Sequence, residues 1–198
     1  MTELTPRFDE AVTEARRLHG GQRRKGTDIP YVAHLMSVAA IVLEDEGSED
    51  EAIAALLHDA IEDVPGEGTE EFIRERFGAR VAEIVLACSD ATTHPKPPWR
   101  GRKERYLAHL EEADPGVLRV SLADKLHNAR AILYDLRTVG DALWSRFTAA
   151  SATDQLWYYR SLADVFSRRK PGPLADELQR VVDEIEALAG PSLRARSS

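Results

Sequence analysis

The stretch Ala52-Ile53-Ala54-Ala55-Leu56-Leu57 is apolar without a break and runs straight into His58-Asp59-Ala60-Ile61-Glu62-Asp63. Ser48-Glu49-Asp50-Glu51 just before it has the form of a capping box, so a helix is predicted to start there and continue through the polar residues. A helix that is apolar all round is one that its neighbours surround. Residues four apart share a helix face, which puts Glu62 one turn below His58 and Asp63 one turn below Asp59. One imidazole and three carboxylates therefore follow a buried segment. Three carboxylates beside a core cannot all stay ionised without a compensating cation. A divalent metal ion is the simplest one. The alternative for the same residues is a helix end with solvated acids and a capping histidine.

Two other stretches carry matching chemistry. Tyr31-Val32-Ala33-His34-Leu35-Met36-Ser37-Val38-Ala39 places a lone histidine on an otherwise apolar helix. Ser121-Leu122-Ala123-Asp124-Lys125-Leu126-His127-Asn128 places Asp124 and Asn128 four apart, on one face. A histidine, a His-Asp pair and a distant aspartate make a mixed nitrogen and oxygen donor set. Such a set suits manganese, iron, zinc or magnesium better than a thiolate site would.

In order along the chain, His34, then His58-Asp59, then Asp124 resembles the metal set of the HD-domain phosphohydrolases. The flanking residues narrow the resemblance. His19-Gly20-Gly21-Gln22-Arg23-Arg24-Lys25-Gly26 with Pro30-Tyr31 and His34 is similar to the amino-terminal signature of the RelA/SpoT-type hydrolase domain. His58-Asp59-Ala60-Ile61-Glu62-Asp63 resembles its second signature, and Leu122 to Asn128 its third. The likeness runs from about Phe8 to Phe166. It implies an all-α fold, a single HD-domain helical bundle of about ten helices over residues 1–190. It also implies hydrolysis of the 3′-pyrophosphate of guanosine tetra- and pentaphosphate, usually with manganese, by a stand-alone small alarmone hydrolase. Other readings are an HD-type phosphatase of other nucleotides or of a phosphorylated dinucleotide cofactor, and a non-catalytic binding protein with an idle metal.

The resemblance also assigns roles. His34, His58, Asp59 and Asp124 are the expected metal ligands. Glu62 and Asp63 are the expected acid/base pair, one of which takes a proton from the attacking water. Arg24 and Lys25 match the nucleotide- and phosphate-binding Arg-Lys of the family; Arg can clamp a phosphate in two places, and Lys supplies a point charge. Asn128 is expected on the ribose or a phosphate. One departure stands out. Between Lys25 and Pro30 this chain has Gly26-Thr27-Asp28-Ile29, where the bifunctional enzymes have Ser-Gly-Glu, so the loop that would meet the base is one residue longer.

Composition sets outer bounds. With 198 residues, 43% of them hydrophobic and 30% charged, the chain fits a soluble globular domain with a sizeable core. Its apolar runs are too short to span a bilayer. The start, Met1-Thr2-Glu3-Leu4-Thr5-Pro6, lacks the basic-then-apolar pattern of a secretory signal. The single cysteine, Cys88, excludes an internal disulfide framework. A cytoplasmic location is the expectation. The net charge of −8 argues against broad nucleic-acid binding while leaving room for a local basic pocket.

The rest reads as helices. Thr5-Pro6 is a start signal and Gly20-Gly21 a stop. Helices are predicted from Pro30 to about Glu44, Thr69 to Phe77, Arg80 to Cys88, Arg100 to about Glu112, and from Asp114-Pro115 through Leu136. Later ones are predicted near Asp141–Phe147, Asp154–Arg168 and Leu174–Leu188. Pro95, Pro97 and Pro98 forbid a regular helix around residues 92–98. That segment reads mainly as a surface connection, with a flap over the ligand as the alternative. Arg102 and Lys103 could form a second basic wall only if it folds back. Residues 191–198 are expected to form a disordered tail.

Overall fold

The computed structural model describes residues 2–91, 95–147 and 149–196, with residues 190–196 described by backbone alone. Among these residues the regular elements are all helical; the one ladder contact is an isolated bridge between Arg23 and Pro30. The chain packs as two compact units.

The first unit contains α1 (Pro6–Leu18), α2 (Val32–Glu44), α3 (Glu49–Leu57), α4 (Ala60–Asp63), α5 (Glu70–Phe77) and α6 (Ala79–Cys88), and α8 (Pro115–Val139) as far as Asp124. Its centre is α3, which packs against α1, α2 and α6. Every residue from Ala52 to Leu57 is at most 1% exposed. Leu35, Val38 and Val42 of α2 and Val81, Ile84 and Val85 of α6 are buried as well. Each fully buried Leu or Ile contributes about 1.5–3 kcal/mol. The helix starts where the capping box predicts: the Ser48 hydroxyl accepts from Glu51 N–H, and the Glu51 carboxylate accepts from Ser48 N–H. Thr5 caps α1, with Pro6 at its first position.

The expected single helix through Asp63 is divided. α3 stops at Leu57; His58 keeps helical backbone angles, but Asp59 opens to φ −99°, ψ 0°. The carbonyl of Asp59 nevertheless accepts from Asp63 N–H at 2.9 Å, so the one-turn spacing of that pair survives the break. The loop after α4 keeps that helix short. Gly68 N–H bonds to Val64 O at 2.9 Å, folding the loop back on α4. A Cβ on Gly68 would lie 2.5 Å from the Ala60 carbonyl oxygen, so only glycine permits this approach.

The second unit contains α7 (Trp99–Leu110), the rest of α8, a 3-10 turn over Gly140–Arg146, α9 (Ala152–Arg169) and α10 (Pro173–Arg196). α9 packs on α7 and α10, with Tyr158, Tyr159, Leu162 and Phe166 buried. Arg102 is buried, and its Nε donates to Pro97 O at 3.0 Å; Lys103 lies 4.9 Å from the centre of the Tyr158 ring. Arg102 is thus packed inside this unit and not displayed as a basic wall, and Lys103 lies half-buried over the Tyr158 ring. The disordered tail expected over 191–198 falls where side chains, and at 197–198 the backbone too, lie outside the described residues. Among the described residues no helix is long and apolar enough to cross a membrane.

Candidate metal centre and acidic pair

Three separated segments bring four side chains together. His34 enters from the first turn of α2, His58 and Asp59 from the break after α3, and Asp124 from α8. His34 Nε2 lies 3.2 Å from Asp124 Oδ1 and 3.9 Å from Asp59 Oδ2. His58 Nε2 lies 2.9 Å from Asp59 Oδ2 and 3.6 Å from Asp124 Oδ1. Both imidazoles and Asp124 are buried, and Asp59 is partly so. Burial of α3 fixes the position of His58, since the side chain begins where the packed segment ends.

The donor set fits a divalent metal ion. His58 Nδ1 sits 2.8 Å from the Ala55 carbonyl, an acceptor, so that nitrogen carries the proton. Its Nε2 is therefore the nitrogen free to ligate, and it is buried facing the Asp59 and Asp124 carboxylates. Metal-bound imidazoles typically have their second nitrogen fixed in this way. Two nitrogen and two carboxylate donors suit a first-row divalent ion. The titration of the bare cluster agrees. Burial holds the His34 imidazole below its ordinary range. Burial acts the same way on His58, but the adjacent Asp59 and Asp124 outweigh it and raise that imidazole well above its ordinary range. Asp59 is likewise subject to burial, yet His58 beside it holds its carboxyl below the usual range.

Tyr31 completes this wall. Its hydroxyl donates a short hydrogen bond to Asp59 Oδ2. Burial, then the charge of Asp59, pushes the phenol far above its usual range, so it stays a donor. The ring stacks on His19 with centroids 5.4 Å apart and meets His34 edge-on at 5.3 Å. The Arg24 guanidinium carbon lies 5.9 Å from the Tyr31 ring centre, one aromatic ring away from Asp59. A tight turn places it there: Arg24 N–H bonds to Ile29 O, Tyr31 N–H to Gln22 O, and Gly26 takes φ +71°. Lys25 is exposed on the same turn.

The acidic pair lies at the end of α4 with all four of its carboxylate oxygens held by donors. Glu62 Oε1 accepts from Lys96 Nζ at 2.8 Å, and Glu62 Oε2 from Asp90 N–H at 3.2 Å. Asp63 Oδ1 lies 3.4 Å from Lys96 Nζ, and Asp63 Oδ2 accepts from Gln22 Nε2 at 3.0 Å. Gln22 is oriented in turn by buried His19, whose Nδ1 lies 2.6 Å from Gln22 Oε1. Burial, then the charge of Asp90, pushes the Glu62 carboxyl above its ordinary range, and Lys96 pulls it back. Asn128 follows Asp124 by one turn of α8, within the second unit.

Sequence reasoning gave Tyr31, Gln22 and His19 no role, although all three lie inside the first signature. A buried-looking motif with more polar residues than ligands was the available signal. Lys96 had none: it is 33 residues beyond Asp63 in sequence. The Pro-rich segment, read mainly as a surface connection, delivers it to the acids.

The HD-domain model matches residues 11–155, and the chain belongs to that family. Its relatives are more particular. The human protein named guanosine-3′,5′-bis(diphosphate) 3′-pyrophosphohydrolase MESH1 is 38% identical over 124 residues, which is 61% of this chain and 66% of that protein. The mouse MESH1 is 36% identical over 139 residues, 69% of this chain and 73% of that one. A Haemophilus influenzae enzyme with the same pyrophosphohydrolase name is 38% identical over 124 residues, 60% of this chain. The match spans only 17% of the Haemophilus enzyme's own length, and that to the human protein also falls below two thirds of its length. Among solved structures, a metazoan orthologue of SpoT described as hydrolysing ppGpp superposes with a TM-score of 0.72 at 25% identity, covering 94% of this chain and 97% of that one. A Listeria monocytogenes protein superposes with a TM-score of 0.69 at 29% identity, covering 77% of this chain and 97% of its own.

Proposed function

We propose that this chain hydrolyses the 3′-pyrophosphate of guanosine tetra- and pentaphosphate, giving GDP or GTP and pyrophosphate, with manganese as its ion. The observation that carries the reading is the meeting of His34, His58, Asp59 and Asp124 just before the short helix that presents Glu62 and Asp63. The names of the MESH1 relatives support the choice of substrate.

His34, His58, Asp59 and Asp124 would hold the ion. Bound there, a divalent metal acidifies water and offsets phosphate charge. Tyr31 keeps Asp59 oriented by its hydroxyl hydrogen bond. Glu62 takes the proton of the attacking water, with Asp63 beside it. A carboxylate offers about four acceptor sites, so Glu62 can accept this proton while still holding Lys96 and Asp90 N–H. Water adds to the phosphorus on the ribose 3′-oxygen, that P–O bond breaks, pyrophosphate leaves, and the 3′-oxygen regains a proton. Arg24 and Lys25 bind the nucleotide and its phosphates, and Asn128 contacts the ribose or a phosphate. A net charge of −8 makes such local cations necessary for a polyanionic substrate. A cytoplasmic location goes with a nucleotide substrate of this kind.

The test is a panel of nucleotides incubated with manganese-loaded protein, with products resolved by chromatography. Guanosine tetraphosphate should give GDP and pyrophosphate in equal amounts. Orthophosphate as the only inorganic product would refute this reading in favour of a phosphatase of other nucleotides. The four-residue turn Gly26–Ile29 beside Arg24 is the feature that would accommodate such a substrate.

A further inference from the structure

The acidic pair carries a cation that none of the roles assigned so far uses. Lys96 Nζ bridges Glu62 Oε1 at 2.8 Å and Asp63 Oδ1 at 3.4 Å. The outer oxygens are fixed from the other side, Glu62 by Asp90 N–H and Asp63 by the Gln22 amide. The pair is thus gripped at all four oxygens by donors from three separate parts of the chain. Lys96 stands between Pro95 and Pro97, whose fixed φ angles limit the freedom its backbone loses on docking. An ordinary exposed ion pair contributes little. This one is different in place: the Glu62 and Asp63 side chains are only 18% and 27% exposed, and Glu62 also faces the charges of Asp90 and Asp59.

We propose that Lys96 is a positioning residue for hydrolysis: by bridging Glu62 and Asp63 it holds the proton-accepting carboxylate in place. The proposal rests on the reading of Glu62 as that acceptor. Lys96 offsets the repulsion among Glu62, Asp63 and Asp90, which would otherwise turn the Glu62 side chain out or protonate it. Its contribution is made through Glu62, so it acts on turnover and not on nucleotide affinity.

The full-length protein, loaded with manganese, provides the test. In Lys96→Met, kcat should fall by about 10- to 100-fold, the scale of a misplaced catalytic group, with KM nearly unchanged. Losing the cation raises the pKa of Glu62, so the acidic limb of the kcat profile should move to higher pH. Lys96→Arg should restore most of the rate. Adding Lys96→Met to Glu62→Gln should cost little more than Glu62→Gln alone. Unchanged kcat, a rise in KM alone, or a faster enzyme would each overturn the proposal, the last two by making Lys96 a substrate contact or an obstruction. A readout without turnover separates this from the function itself. In protein with 13C-labelled glutamate carboxyls, the Glu62 signal, identified by its loss in Glu62→Gln, should titrate at higher pH in Lys96→Met. A wild type inactive on every nucleotide would remove the proposed function, and an unmoved Glu62 titration would still overturn the role of Lys96.

Discussion

His58 and Glu62 are one helical turn apart in sequence, yet the structure treats them in opposite ways. His58 and its partners His34 and Asp124 are buried, and they contact one another and Asp59 where the packed helix α3 ends. Glu62 and Asp63 stand at the rim, fixed by side chains that arrive from the α1–α2 turn and the Pro-rich segment. The break at Asp59 separates the two regimes. A metal cluster wants rigid geometry, which a core supplies at no further cost. A proton acceptor must meet water, so it is placed where the core ends and is steadied by a few donors.

That contrast can be broken by substitution. The largest effect is expected from Asp59→Ala, which should lose both bound metal and turnover to background, measured by metal analysis and pyrophosphate release. Glu62→Gln removes only the proton acceptor. It should keep full metal content and lose about 10²–10⁴-fold in kcat, the usual worth of a general base. Loss of metal in Glu62→Gln would merge the two regions into one. Arg24→Ala should raise KM by about tenfold, about 1.4 kcal/mol of binding, with a smaller change in kcat, because it removes binding common to ground and transition states.

Much of this layout was legible in the residues. The capping box and the apolar run located α3, and the three ordered motifs picked out four side chains that the fold brings together, because local pattern and core burial agree there. The division at Asp59 was not legible; the Tyr31 hydrogen bond to Asp59 and the fold-back of Gly68 over Ala60 that flank it leave no periodic trace. Lys96 was invisible for the same physical reason: a contact between residues 33 or 34 apart leaves no periodic trace. Arg102, read as a possible basic wall, is buried against Pro97 instead, because its helix turns that face inward.

The smallest expected effect lies away from both regions. Arg80 grips Asp114 at 2.5 Å, and this hydrogen bond holds the Asp114 carboxyl below the usual carboxylate range. A depressed carboxylate stabilises the fold at pH above its unfolded value and loses that contribution as pH falls through the folded value. Arg80→Ala should therefore lower stability by less than about 1 kcal/mol at neutral pH, and the difference from wild type should vanish in acid below the usual carboxylate range. Thermal melts across pH would show it. Metal content and kcat should not move, which would separate packing of the first unit from the chemistry of its site.

The division between cluster and rim stands most directly on where a metal ion binds. Crystals grown with manganese, with diffraction data collected at its absorption edge, would locate it by anomalous scattering. The expected result is one strong peak bounded by His34 Nε2, His58 Nε2 and carboxylate oxygens of Asp59 and Asp124, with Glu62 still held by Lys96. A peak ligated by Glu62 and Asp63, or none near His58, would contradict the division between a buried metal cluster and a proton-accepting rim.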